Sequence, residues 1–232
     1  MTELEMTLKS VILDLDGTII DCAERYYRTF RDLLFQRGID VPRKDDVVRL
    51  RRQTGLSSGE LLESYIISKD LRGRGALISE IYERRLAIIE DWKYLKLDRV
   101  FRGAKETLKK LRDMNLTLML TTDRKNRENL MRQLRSKRLK KYFSEILCGG
   151  DLPGKGAMLS HITAEYSLRR NEFLLVSDTR GDLEVGRRMG GITVGVLSGL
   201  ESRNLLLQSK PDYIIKNISY LPRLIEKISH ET

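Results

Sequence analysis

Two aspartates one residue apart, Asp14 and Asp16, stand where the apolar run Val11-Ile12-Leu13 ends. In extended chain, residues two apart point to the same side. Both carboxylates would emerge together at the strand tip, and Leu15 would turn back toward a core. Gly17 permits a sharp turn, and Thr18 offers an amide and a hydroxyl to an anion. Two crowded carboxylates repel unless a proton or a cation divides them. A hard cation such as magnesium, with a phosphate opposite, resolves that conflict.

More polar groups gather where other apolar runs stop. Thr121-Thr122-Asp123 closes the run 116–120, and either threonine could be the working hydroxyl. The loop 149–154 follows Glu145–Cys148 and leads into Lys155. Ser177 and Asp178 close the run 173–176, with Asp182 a helical turn further on. Ligands of open parallel sheets sit beyond the carboxyl ends of the strands. One rim carrying carboxylates, a hydroxyl and a lysine is therefore expected.

The elements that must position this rim are legible as a rhythm. Short apolar runs at 8–15, 116–120, Glu145–Cys148, 173–176 and Ile192–Val196 read as strands, with Tyr213–Ile215 as an edge strand. Amphipathic stretches at Ala104–Asp113, 126–138, 156–167 and 182–189 lie between them. Strands alternating with helices predict a parallel sheet with crossover connections. Near-continuous apolar strands fit a sheet covered on both faces. The fold class expected is α/β, a Rossmann-like parallel sheet core with helices on both faces.

From residue 22 to 97 the rhythm stops. No strand pattern occurs there, but 23–36, 58–67 and 78–89 carry helical periodicity. Such a block between the first two strands reads as an inserted α-helical cap domain. The expected division is a core of residues 1–20 plus 103–232 and a cap of residues 21–102.

Composition sets the outer bounds. The chain has 232 residues, 41% hydrophobic and 33% charged, as globular proteins do. No apolar run approaches the roughly 20 residues of a membrane helix, so no membrane partner is expected. The acidic start of the chain resembles no secretion signal. Two cysteines, Cys22 and Cys148, build no disulfide framework and fit a reduced, cytoplasmic setting. His161 and His230 are the only histidines, leaving little material for an imidazole-rich metal site. The net charge of +10 could attract an anionic substrate or nucleic acid. Basic residues 132–141 lack interleaved aromatics to stack bases, so they read as a solvated helix face and nucleic acid is not the expected partner.

The motif residues carry a resemblance. Asp14-Leu15-Asp16-Gly17-Thr18-Ile19-Ile20-Asp21, Thr122, Lys155 and Asp178-Thr179-Arg180-Gly181-Asp182, with the tail Pro211-Asp212-Tyr213-Ile214-Ile215, resemble the haloacid dehalogenase-like hydrolase superfamily, most of all its phosphoglycolate phosphatase branch. The resemblance spans essentially the whole chain. It implies a phosphatase in which Asp14 is the nucleophile and forms an aspartyl-phosphate. It implies Asp16 as general acid and base, its main-chain carbonyl also meeting the metal. Mg2+ would take oxygens from Asp14, Asp16 and Asp178. Thr122, Lys155 and the amides of Leu15 and Asp123 would hold phosphoryl oxygens. Asp182 would hold a metal-bound water or orient Lys155.

Other readings of the same residues stay in view. An Asp-X-Asp-Gly string occurs in calcium loops, but the other ligand positions of an EF-hand are missing. Asp182 could merely stabilise the first turn of a helix, whereas a lysine opening a helix is disfavoured there by the dipole. The chain departs from the branch at Ser177 (usually glycine), Gly156 (commonly proline) and Asp123 (usually asparagine or serine). Asp16 argues against a dehalogenase, which lacks that second aspartate. A phosphomutase of the same superfamily, or a catalytically weak binding module, shares the constellation.

Specificity is expected from the cap. The segment 49–57 reads either as a specificity loop holding Arg51, Arg52 and Thr54, with Gly55 allowing close approach and arginines that could grip a carboxylate or second phosphate, or equally as a solvated helix end. The expected substrate is a small acidic phosphometabolite, 2-phosphoglycolate first among them. The expected assembly is a monomer or homodimer.

Overall fold

A computed structural model describes residues 8–56, 60–61, 63–65 and 74–230. The chain start, Ser57 and the outer parts of the expected helix 58–67 lie outside the described residues; positions 60, 61 and 63–65 are helical.

The central sheet is built from β1 (Ser10–Leu13), β4 (Thr117–Thr122), β5 (Glu145–Cys148), β6 (Phe173–Ser177), β7 (Ile192–Val196) and β8 (Tyr213–Ile215). These six parallel strands lie in the order β5-β4-β1-β6-β7-β8. Each coincides with an expected strand. β1 is central, paired with β4 on one side and β6 on the other, Leu13 lying beside Leu120 and Val176. The chain order reverses at β1, the switch point where a ligand crevice opens in such sheets. Asp14 and Asp16 follow β1, Thr122 ends β4, and Asp178 directly follows β6. The tips of three adjacent strands thus meet at that crevice.

Alternation along β1 distributes the core. Val11 and Leu13 face one side, with Leu108, Leu130, Leu221 and Ile225 from covering helices. Ile12 faces the other, with Met158, Leu159 and Ile162 of the helix Gly154–Glu165. All four β1 residues are buried, as a strand covered on both faces requires.

Two short strands lie outside the expected set. β2 (Ile20–Asp21) and β3 (Arg99–Val100) pair antiparallel, so the chain leaves the sheet domain and returns to it through one narrow ribbon. Between them lie the helices Ala23–Phe35, Lys44–Thr54, Arg74–Ile88 and Trp92–Leu95. Phe30, Leu33, Leu34 and Ile81 form a separate small core there. This is the inserted helical cap. Of the two readings of 49–57, the structure has the helix end: the segment is helical through Thr54 and stops where Gly55 turns left-handed at φ +68°.

Among the described residues no helix is long and apolar enough to cross a membrane. Both cysteines are free and buried.

Candidate active site

The site is a cavity of about 340 Å³ between the strand tips and the cap. Asp14, Asp16, Thr122, Asp123, Asp178 and Asp182 line its sheet side. The cap side is basic, with Arg25, Arg51 and Arg85 around Tyr26.

Lys155 organises the sheet side. The first turn of its helix projects Nζ between Asp14 Oδ1 at 2.7 Å and Asp182 Oδ2 at 2.9 Å. It also donates to the Thr121 carbonyl at 3.1 Å. Burial alone would discharge this lysine, yet the carboxylates of Asp14 and Asp182 raise its pKa above the ordinary value. Burial pushes the Asp14 pKa up, and Lys155 opposes that push. Ser177, a departure from the family pattern, donates to Asp182 Oδ2 at 2.9 Å and so fixes the carboxylate that holds Lys155.

Asp178 is fully buried. Its Oδ2 accepts the Leu200 amide at 2.7 Å, and its Oδ1 has no hydrogen-bond partner. Burial pushes its pKa up to about 7, the Leu200 amide working against the shift. A Cβ on Gly17 or on Gly199 would come within 2.1 Å of Oδ2, so only glycine fits on either side. Gly17 is also left-handed, at φ +84°. This tight cradle holds a carboxylate whose free oxygen wants a cation.

The donor set suits a hard cation with few protein ligands. Among the described residues no three carboxylate, thiol or imidazole groups converge on one point. Asp14 and Asp178 would supply the carboxylates. The Asp16 carboxylate is turned to arginines, which leaves its main-chain carbonyl as the group it can offer. Substrate and water oxygens would complete such a shell.

Asp16 sits in a network that the sequence does not announce. Arg25 reaches its Oδ1 at 2.6 Å, and Arg124 grips it with Nε to Oδ2 at 2.8 Å and Nη2 to Oδ1 at 2.5 Å. The same two arginines bind buried Asp98, which also accepts from Gln133 at 2.9 Å. Burial raises the pKa of Asp16, but Arg124 and Arg25 outweigh it and hold the carboxyl well below the usual range. In this arrangement Asp16 is an anion.

Among the remaining expected residues, Thr122 lines the cavity, whereas the Thr121 hydroxyl is buried away from it without a partner. Asp123 stands at the rim, exposed. Arg51 lines the cavity with its guanidinium 4.7 Å from the Tyr26 ring centre. Arg52 instead donates to the carbonyls of Leu197 at 2.8 Å and Gly199 at 3.2 Å, tying the cap helix to the sheet domain. The Thr54 hydroxyl donates to the Leu50 carbonyl at 2.7 Å within its own helix, and Thr54 does not line the cavity. Arg25, Asp98, Arg124, Arg85 and the Leu200 amide join the site without having been expected there. Arg124 has a sequence signal, since it is one residue past the strand-end trio Thr121-Thr122-Asp123.

A parallel sheet reversing at β1, an inserted helical cap and an Asp-Lys-Asp rim define a class of hydrolase. Residues 11–196 match the family described as Haloacid dehalogenase-like hydrolase, and the chain belongs to that family. Its relatives include a phosphoglycolate phosphatase of Vibrio vulnificus, 23% identical over 95% of this chain and 96% of the relative. A phosphoglycolate phosphatase of Neisseria gonorrhoeae is 28% identical over 95% and 93%. A haloacid dehalogenase-like hydrolase from Streptococcus pneumoniae shares the fold with a TM-score of 0.74, at 18% identity over 97% of this chain and 99% of that one.

Proposed function

We propose that this chain is a magnesium-dependent phosphomonoester hydrolase acting on a small acidic phosphometabolite, with 2-phosphoglycolate the first candidate. The observation that carries this reading is Asp14 held by Lys155 at 2.7 Å beside Asp178, whose buried Oδ1 has no partner. The two relatives named phosphoglycolate phosphatase support the choice of first substrate.

In this reading Asp14 attacks phosphorus. The bond from its oxygen to phosphorus forms as the ester bond to the alcohol breaks, giving an aspartyl-phosphate. Asp16 gives a proton to the departing alcohol oxygen. It then takes one from the water that attacks phosphorus, which releases inorganic phosphate and restores Asp14. Arg25 and Arg124 stabilise the Asp16 anion, which suits the second half of the cycle. The first half requires one of these contacts to loosen, so that Asp16 takes up a proton from solvent before it passes that proton to the alcohol. Thr122 and Lys155 bind phosphoryl oxygens, and Lys155 offsets repulsion between Asp14 and the incoming dianion. Asp14, Asp178 and the Asp16 carbonyl would hold Mg2+, which supplies positive charge against the phosphoryl oxygens.

The cap, taken as residues 21–102 on a sheet domain of residues 1–20 and 103–232, would close over the substrate and exclude water. The test is phosphate release from 2-phosphoglycolate and p-nitrophenyl phosphate, with and without magnesium. Activity that survives both chelation and Asp14→Asn refutes the proposal. Interconversion of sugar phosphates without net phosphate release would identify a mutase instead.

A further inference from the structure

Arg85 lies on the last long cap helix, Arg74–Ile88, and is 3% exposed. Its Nε has no hydrogen-bond partner, and among the described residues no ion pair reaches its guanidinium. The guanidinium stands over the Tyr26 ring, 5.0 Å from its centre. Burial lowers its pKa to about 10, so it remains a cation at neutral pH. A buried guanidinium without a carboxylate is costly, because its lost hydration is not replaced.

Among the described residues, the acids around the reaction cavity either pair with other cations or, like Asp123 and Asp178, form no ion pair with Arg85. Asp16 and Asp98 share Arg25 and Arg124. Glu90, two residues past the end of the same helix, accepts the amides of Lys125 and Asn126 at 2.8 and 2.7 Å. Arg85 therefore carries a charge that nothing described in the protein neutralises. It also stands where two cavities adjoin. One is the reaction cavity; the other, about 210 Å³, lies between cap and sheet domain, walled by Tyr27, Phe30, Val47, Val48 and Leu61 on the cap side and by Gly17, Ser198 and Gly199 on the other. Arg51, Tyr26 and Leu200 line both cavities with it.

We infer that Arg85 binds an anionic group, a carboxylate or second phosphate, carried by the leaving alcohol of the substrate, and so determines which phosphomonoesters the site accepts. The inference rests on the phosphatase reading and deepens it. With the phosphoryl group at Asp14 and Lys155, the rest of the substrate projects toward the cap, where Arg85 lines the same cavity without an ion-pair partner among the described residues. A charge-assisted hydrogen bond to a buried guanidinium discriminates by tens of fold against a ligand lacking the anion.

The test measures binding, so that it does not depend on turnover. Calorimetry on the full chain carrying Asp14→Asn, with magnesium, compares ethyl phosphate, 2-phosphoglycolate and ethane-1,2-diol bisphosphate. One of the two ligands with an anionic tail should bind at least about thirtyfold more tightly than ethyl phosphate, and which one does so tells carboxylate from phosphate. Adding Arg85→Met should shrink that ratio to about threefold or less, and Arg85→Lys should leave an intermediate ratio. Circular-dichroism melting monitors folding; should Arg85→Met not fold, the Arg85→Lys ratio decides. No preference in the parent, or a preference untouched by the Arg85 variants, overturns the inference. Absence of phosphate release by the unmutated chain would refute the phosphatase reading separately, and the binding ratio would still judge Arg85.

Discussion

Lys155 shows how much of the site's electrostatics rests on single side chains. It is the one cation contacting both Asp14 and Asp182 among the described residues. Lys155→Met should lower kcat by about 10²–10³-fold, the size of effect seen when a charge-stabilising donor is removed. A second readout separates this from a folding defect. Burial already raises the Asp14 pKa and Lys155 counters it, so the variant should raise it further. A protonated Asp14 cannot attack, so the acidic limb of the pH–rate profile should move to higher pH. An unmoved limb would mean that Lys155 does not tune Asp14. Asp178 gives a related expectation: burial raises its pKa to about 7, so below that pH it holds a proton, which a cation bound there, as proposed, would have to displace. Magnesium affinity by calorimetry should then drop about tenfold per pH unit below 7 and level off above. These carboxylates are legible in the sequence, because paired acids at a strand tip repel each other unless a cation or a proton divides them. Arg85 is not. A charged residue in a helical pattern is assigned to the solvent face, and only packing shows that this one is buried.

The strands place the acids, but loops from elsewhere in the chain fix them. Asp178 follows β6, and its carboxylate is held between the turn after β1 at Gly17 and the loop after β7 at Gly199 and Leu200. Gly199→Ala puts a Cβ 2.1 Å from Asp178 Oδ2, which must then rotate or shift. Magnesium affinity should weaken at least about tenfold, the order of effect of disturbing a ligand's support, while the sheet stays intact by far-ultraviolet circular dichroism. Unchanged affinity would show that Asp178 does not hold the metal in this conformation. The six parallel strands are readable because each is an apolar run with turn residues at its end, and the central ones are buried on both faces. The ribbon β2–β3 is not, since two residues per strand carry no periodicity. The helix Lys44–Thr54 buries none of its residues, so no apolar stripe decides between loop and helix end for its second half in the sequence.

At the scale of the whole molecule, a cap on a two-strand neck must still be held in register with the sheet domain. Arg52 does part of this through the carbonyls of Leu197 and Gly199, and the Glu90 carboxylate does more by capping the amides of Lys125 and Asn126. The centre of the junction is polar and buried: Arg25 from the first cap helix, Asp98 just before β3, and Arg124 and Gln133 from the sheet domain. Sequence reading places the cap by its break in rhythm, but it cannot pair residues 73 positions apart, as Arg25 and Asp98 are. Such a network contributes through completeness, because removing one member leaves its partners charged in a dry environment. Arg124→Met takes a guanidinium from Asp16, Asp98 and Gln133 at once. Chemical denaturation should show a loss of about 3 kcal/mol, with Tm lower by roughly 6–12 °C. The double replacement Arg124→Met with Asp98→Asn should recover part of that loss, since the second change removes one of the stranded charges. Full additivity of the two changes would instead mean that the arginine stabilises the junction by packing alone.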